Sequence, residues 1–156
     1  MDDWEIGGYP HLFIDGKNGK CVVWESNAWD TYPDKKAQKI KYSQYDPEQK
    51  RWAIGAVISL DEQTMLNQTP AGICDSKGTK IVVWSGRGRD YGKPWGIYLA
   101  VERNGQWSKP ALISEPDENA RAPKIAIDRS DAVWVSWHSG IGKDMKIKVL
   151  RLNILD

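Results

Sequence analysis

Two arginines sit one residue apart in the loop Gly86-Arg87-Gly88-Arg89-Asp90-Tyr91-Gly92-Lys93. Their planar guanidinium forks suit bidentate hydrogen bonding to a carboxylate or phosphate. The other reading is a pair of solvated loop charges partly offset by Asp90. A second loop, Asn27-Ala28-Trp29-Asp30-Thr31-Tyr32-Pro33-Asp34, carries Trp29 and Tyr32. Such aromatics either stack on a sugar ring or pin their own loop. His138 follows Trp137 and is expected to point toward the same loops as a candidate base, which would need a partner group. His11 falls in an extended run and reads as structural. Two histidines and two cysteines without ligand spacing do not make a zinc site, so no metal or other cofactor is expected. Gly86-Arg87-Gly88 lacks the spacing and strand-to-helix setting of a phosphate loop. One Arg-Gly-Arg run without a basic surround does not make an RNA-binding surface.

The scaffold behind these residues is a repeat. Pro10-His11-Leu12-Phe13-Ile14-Asp15 is followed by Val22-Val23-Trp24. Pro70-Ala71-Gly72-Ile73-Cys74-Asp75 is followed by Val82-Val83-Trp84, and Pro123-Lys124-Ile125-Ala126-Ile127-Asp128 by Val135-Ser136-Trp137. The steps are 60 and then 53 residues, for proline and tryptophan alike. Self-similarity at this period marks stacked supersecondary units. Within the second copy, Lys80 to Ser85 is a β-branched and aromatic strand, Trp95 to Val101 another, and Asn104-Gly105 a hairpin turn before Trp107 to Ser114. The first copy follows suit, with Lys39 to Tyr45 as its third strand and Trp52 to Ser59 as its fourth. Ile58-Ser59 and Ile113-Ser114 close the fourth strands alike. Sustained helical periodicity is absent.

The second strand of each copy is apolar on both faces, as a strand covered from two sides would be. The expected architecture is therefore all-β, with three four-stranded antiparallel propeller blades over about 9–59, 70–114 and 123–156. A two-sheet sandwich explains the strands but not the recurring tryptophans. The third copy stops where the others begin a fourth strand. Propellers close with about four to eight blades, and three would leave apolar faces in water. The expectation is half of a six-bladed ring completed by a second copy of the chain. A nine-bladed trimer, or a piece of a longer propeller, are the alternatives.

Composition narrows the partners. The 156 residues carry 22 Lys+Arg against 21 Asp+Glu, so nothing points to nucleic acid or an anionic membrane. No apolar run is long enough for a membrane span. The first residues resemble no secretory leader, which leaves the cytoplasm, or export with the leader removed. Cys21 and Cys74 occupy strand positions and are read as small hydrophobes rather than a disulfide.

The repeat resembles the sialidase-like, or BNR-type, family of six-bladed propellers. Three features carry the resemblance: Pro123-Lys124-Ile125-Ala126-Ile127-Asp128, the strand Val82-Val83-Trp84-Ser85, and Trp107-Ser108-Lys109-Pro110-Ala111-Leu112-Ile113-Ser114. Sialidases of this kind carry Arg-x-Pro at the start of an inner strand, and Arg121-Ala122-Pro123 has that form. The resemblance thus implies carboxylate recognition by Arg121. The corresponding Gly8-Tyr9-Pro10 and Gln68-Thr69-Pro70 lack the arginine, the strict Ser-x-Asp-x-Gly-x-x-Trp box is not present, and no nucleophilic tyrosine is placed.

In a four-stranded meander, the connections between strands two and three share a rim with the connectors between blades. That rim gathers the candidate ligand-binding residues Trp29, Tyr32, Arg87, Arg89, Tyr91, Arg121 and His138. The expected function is a non-catalytic module that binds a small polar ligand, such as a glycan or peptide. A sialidase-like glycoside hydrolase, or a fragment of one, is the alternative; a structural assembly protein is the third reading.

Overall fold

The structure, a computed structural model, describes residues 7–26, 38–60, 66–88 and 93–154. Three antiparallel sheets follow one another along the chain. The first contains β1 (Gly7–Ile14), β2 (Lys20–Ser26) and β3 (Lys39–Asp46), with β4 (Arg51–Trp52) and β5 (Ala56–Val57) both paired to β3. The second repeats the plan with β6 (Leu66–Cys74), β7 (Lys80–Arg87) and β8 (Gly96–Arg103), and with β9 (Gln106–Trp107) and β10 (Ala111–Leu112) paired to β8. The third comprises β11 (Ala120–Ile127), β12 (Val133–Ser139) and β13 (Lys146–Leu152). A single 3-10 turn, Gly142–Asp144, is the only helical element among the described residues. The all-β propeller architecture expected from the repeat is present.

The hairpin joining the first two strands is built the same way three times. Asp15, Asp75 and Asp128 each accept backbone N–H bonds through Oδ1 from the residues two and four positions on, at 2.6–3.1 Å. The residue three positions on is left-handed each time: Asn18 (φ 61°), Gly78 (φ 89°) and Asp131 (φ 60°). Side chains that tolerate this conformation are short and polar, or absent, which is why the turns read so clearly in sequence. Hydrogen bonds from the Ser130 hydroxyl, then from Trp134 and the backbone, hold the Asp128 carboxyl well below its ordinary range.

Two features depart from the sequence reading. The inner strands begin upstream of their prolines, not at them, and cross a bulge there. Register shifts fall between Gly8 and His11, Gln68 and Ala71, and Arg121 and Lys124. Proline offers no N–H to the ladder and disfavours right-handed helical geometry in the residue before it. Tyr9 (φ 48°), Thr69 (φ 52°) and Ala122 (φ 53°) absorb the extra residue in the left-handed region. The outer strands, expected as one run each, are split into two short pieces. In the second sheet Pro110 interrupts the ladder, and side chains take over: Val101 N donates to Ser108 Oγ at 3.0 Å and Ile97 N to Ser114 Oγ at 3.0 Å. In the first sheet, Ile40 N donates likewise to Ser59 Oγ at 3.0 Å. The recurring Ile-Ser ending is thus a ladder substitute.

Apolar burial lies between the sheets. Phe13, Cys21, Val23 and Ile40 of the first sheet pack on Val82, Trp84 and Ala100 of the second. The opposite face of the second sheet, with Ile81, Val83, Ile97 and Leu99, packs on Val133, Val135 and Trp137 of the third. Strand β7 is consequently buried on both sides, as its unbroken apolar run requires. Trp84 is fully buried, stacks on Tyr98 and donates Nε1–H to Asn67 Oδ1 at 2.8 Å. Trp137 donates to Glu118 Oε1 at 2.8 Å. Cys21 and Cys74 are free thiols.

The joint between the first two sheets includes a close approach at Gly72. A Cβ there would lie 2.6 Å from the Phe13 ring, while the His11 Nε2–H donates to the Gly72 carbonyl at 3.1 Å. Gly72→Ala should therefore lower unfolding stability by about 1–3 kcal/mol, the usual cost of overpacking, measurable by urea titration. Burial pushes His11 below its usual 6.5, with the Lys124 charge, against the opposing Gly72 hydrogen bond. The unfolded chain then binds a proton that the folded chain resists, so stability falls as pH drops below about 6.5. Thermal melts between about pH 7.5 and 5.5 should show that loss, and His11→Gln should flatten it.

Candidate functional site

The rim shared by the β7–β8 connection, the β10–β11 connector and the β12–β13 connection holds a cleft of about 530 Å³. Arg87, Lys93, Pro94, Trp95, Asp117, Asn119, Arg121 and Ile141 line it. Arg87 ends β7, and Arg121 stands one residue before the left-handed Ala122, where the ladder of β11 breaks. The cleft therefore straddles the joint between the second and third sheets.

Asn119 stitches the three connections together. Its Oδ1 accepts from Trp95 N at 3.4 Å, and its Nδ2 donates to the Gly140 carbonyl at 3.2 Å. Backbone bonds run beside these, from Ala120 N to Trp95 O at 2.8 Å and from Gly140 N to Asn119 O at 3.2 Å. Gly140 (φ 94°) has its missing Cβ position only 2.8 Å from the Asp144 carbonyl, so the third connection needs glycine at that corner. The floor is thus held by hydrogen bonds rather than by the cleft's own contents.

The electrostatics favour an anion. Among the described lining residues, Arg87, Lys93 and Arg121 share the cleft with one carboxylate, Asp117. The Arg121 guanidinium lies 4.4 Å from the centre of the Trp95 ring, a cation–π contact that fixes its plane. Partial burial, then the neighbouring positive charge of Arg87, lower the Arg121 pKa from its ordinary value. It remains a cation, since arginine's reference value lies far above neutrality. Two guanidinium groups that repel one another are relieved by a ligand carrying negative charge. The Trp95 Nε1–H is buried with no acceptor among the described residues, which a buried indole seldom tolerates.

Of the residues singled out in the sequence, Arg87 and Arg121 meet in this cleft. His138 does not line it. Trp137 points inward from β12, so strand alternation turns His138 to the opposite, exposed face. It nevertheless stays at the rim end of its strand, where it pairs with Arg121. Trp29, Tyr32, Arg89 and Tyr91 lie outside the described residues. Trp95, Asn119 and Ile141 were not singled out, although Asn119 lies in a connector read as part of the rim. Trp95, like Trp29 and Tyr32, is an aromatic without counterparts in the other copies. In register its equivalents are Gln38 and Met145.

Among the described residues, no group of His, Cys, Asp and Glu is placed to hold a metal ion. No helix of the described residues is long and apolar enough to cross a membrane.

Solved structures share this architecture. The endo-arabinase from Bacteroides thetaiotaomicron superposes with a TM-score of 0.69 at 13% identity, over 97% of this chain and 58% of its own. A Hadza microbial sialidase gives 0.71 at 17% identity, over 97% of this chain and 36% of its own. The fold is a sialidase-like β-propeller. The sialidase of Trypanosoma rangeli aligns at 0.51 and 10% identity, over 96% of this chain and 31% of its own. The chain thus spans little more than half of the arabinase and about a third of each sialidase. No family model and no curated protein sequence matches it.

Proposed function

We propose that this propeller binds a small polar ligand, in first place an acidic glycan, in the cleft between its second and third sheets. The observation that carries the reading is the Arg121 guanidinium stacked 4.4 Å from Trp95, in one cleft with Arg87. A planar cation held in place beside a second one is suited to a carboxylate, which accepts two parallel N–H bonds. The cleft volume of about 530 Å³ suits one or two sugar rings or a short peptide end. Asn119 and Lys93 add donors for hydroxyl groups. The endo-arabinase and sialidases among the structural neighbours are named for carbohydrate chemistry, which supports a glycan over a peptide as the ligand.

Hydrolysis is the second reading, favoured by those same names. Glycosyl transfer requires a nucleophile or base together with an acid across the scissile bond. The described cleft residues supply one carboxylate, Asp117, which favours recognition over turnover.

Titration calorimetry with sialylated or uronic-acid oligosaccharides, beside neutral ones, tests the proposal. Binding should be selective for the acidic sugars and weaken with salt. Arg121→Ala or Arg87→Ala should reduce affinity about ten- to a hundred-fold, the loss expected for a charged hydrogen-bonding group. Equal binding of neutral sugars, or an unchanged Arg121→Ala, would overturn the reading. Release of a fluorogenic aglycone that depends on Arg121 would establish the hydrolytic reading instead.

A further inference from the structure

The two joints inside the chain define what a blade needs from its neighbour, and both outer sheets carry half of that requirement. Pairing registers place Ile40, Ile97 and Ile147 at one position of the three sheets, opposite Glu25, Ser85 and His138 respectively. Ile40 and Ile97 are each 0% exposed, sealed by the next sheet, whereas Ile147 is 64% exposed. The next inward position repeats the pattern: Leu99 is 7% exposed and Val149 is 62% exposed. The far face of the first sheet shows the reciprocal half. Leu12 and Ile14 are 61% and 50% exposed. At the matching place in the second sheet stands Gly72, pressed against Phe13 of its neighbour.

Each joint is also closed by one polar clasp. Where the proline bulge removes an inner-strand N–H from its ladder, a side chain from the preceding sheet accepts it. Glu25 Oε2 receives Thr69 N at 3.2 Å, and Ser85 Oγ receives Ala122 N at 2.9 Å. Glu25 is 3% exposed, and burial raises its pKa while the Thr69 N–H holds it down. The residue that follows the strand tryptophan supplies the acceptor both times. In the third sheet that residue is His138, exposed on the open face, and the corresponding bulge residue of the first sheet is Tyr9 (φ 48°), whose N–H meets no side-chain acceptor among the described residues.

We propose that a second copy of this chain docks head to tail on these two faces, closing a ring in which His138 of each copy accepts the Tyr9 N–H of the other. The occupant follows from the self-complementarity: one molecule presents both halves of a joint it already forms twice. Two copies give six blades, inside the four to eight at which propellers close, whereas three would give nine. The assembly has two-fold symmetry about the ring axis, so both joints form together.

Multi-angle light scattering on the full chain at tens of micromolar should return twice the chain mass. Ile147→Asp or Leu12→Asp alone should weaken association at least about thirty-fold, as loss of a central interface residue does. Both positions are exposed in the single chain, and circular dichroism with thermal melting confirms that each variant folds. Mixing the two variants should restore association in part, because one joint of the mixed pair carries neither charge. His138→Ala should weaken the dimer and His138→Ser should retain it, since serine already serves at Ser85. A mass of one or three chains overturns the proposal. So does a dimer indifferent to Leu12→Asp, which would mean like faces meeting, or equal behaviour of the two His138 variants.

Discussion

Every sheet in this protein is too small to bury its own side chains, so stability resides in the contact between sheets. A five-stranded sheet with two-residue outer strands offers little interior of its own. Placed face to face with another, it converts its apolar alternation into a shared core. The second sheet, covered on both sides, has its central strand fully enclosed. Among the described residues the outer sheets are covered on one side each, and β2 and β12 alternate in burial accordingly. The polar complement to this packing is the bulge. Three non-glycine residues held in the left-handed region carry a conformational cost. In the two internal joints, a hydrogen bond from the preceding sheet offsets it.

The cleft is a by-product of the same joint. Arg121 stands immediately before the bulge of β11, and Arg87 ends the strand whose Ser85 clasps that bulge. The backbone irregularity that locks the third sheet onto the second therefore also brings two guanidinium groups from different sheets into one recess. Asn119 then ties the connections around them. Binding and folding share a boundary here, and a displacement at the clasp would be felt by the ligand-facing arginines.

Much of the fold was legible because it is written three times. The Asp turns, the Val-Val-Trp strands and the Ile-Ser endings each recur at fixed offsets, and each has a local physical cause. The bulges were not legible, because a left-handed Thr69 or Ala122 contradicts the ordinary preference of its residue type and follows from the ladder's need to pass a proline. The breaks in the outer strands were missed for a related reason, since serine hydroxyls replaced ladder groups that the pattern alone supplies. At the candidate site, Arg87 was singled out by its chemistry and Arg121 by the resemblance to the Arg-x-Pro pattern. Trp95 was absorbed into a strand, and the sheet face that His138 takes follows from the alternation fixed by Trp137. Asn119 acts through three connections distant in sequence, which no local pattern encodes.

The hairpin turns beginning at Asp15, Asp75 and Asp128 have identical lengths, each sealed by its own aspartate. On the opposite rim, the stretch between the second and third strands shrinks from copy to copy, longest between Ser26 and Lys39 and shortest between Ser139 and Lys146. Length varies on the rim that carries the cleft and not where the turns close on themselves. One edge of the molecule thus follows a strict length rule while the other does not, so the outline of that second edge can change without rebuilding the frame.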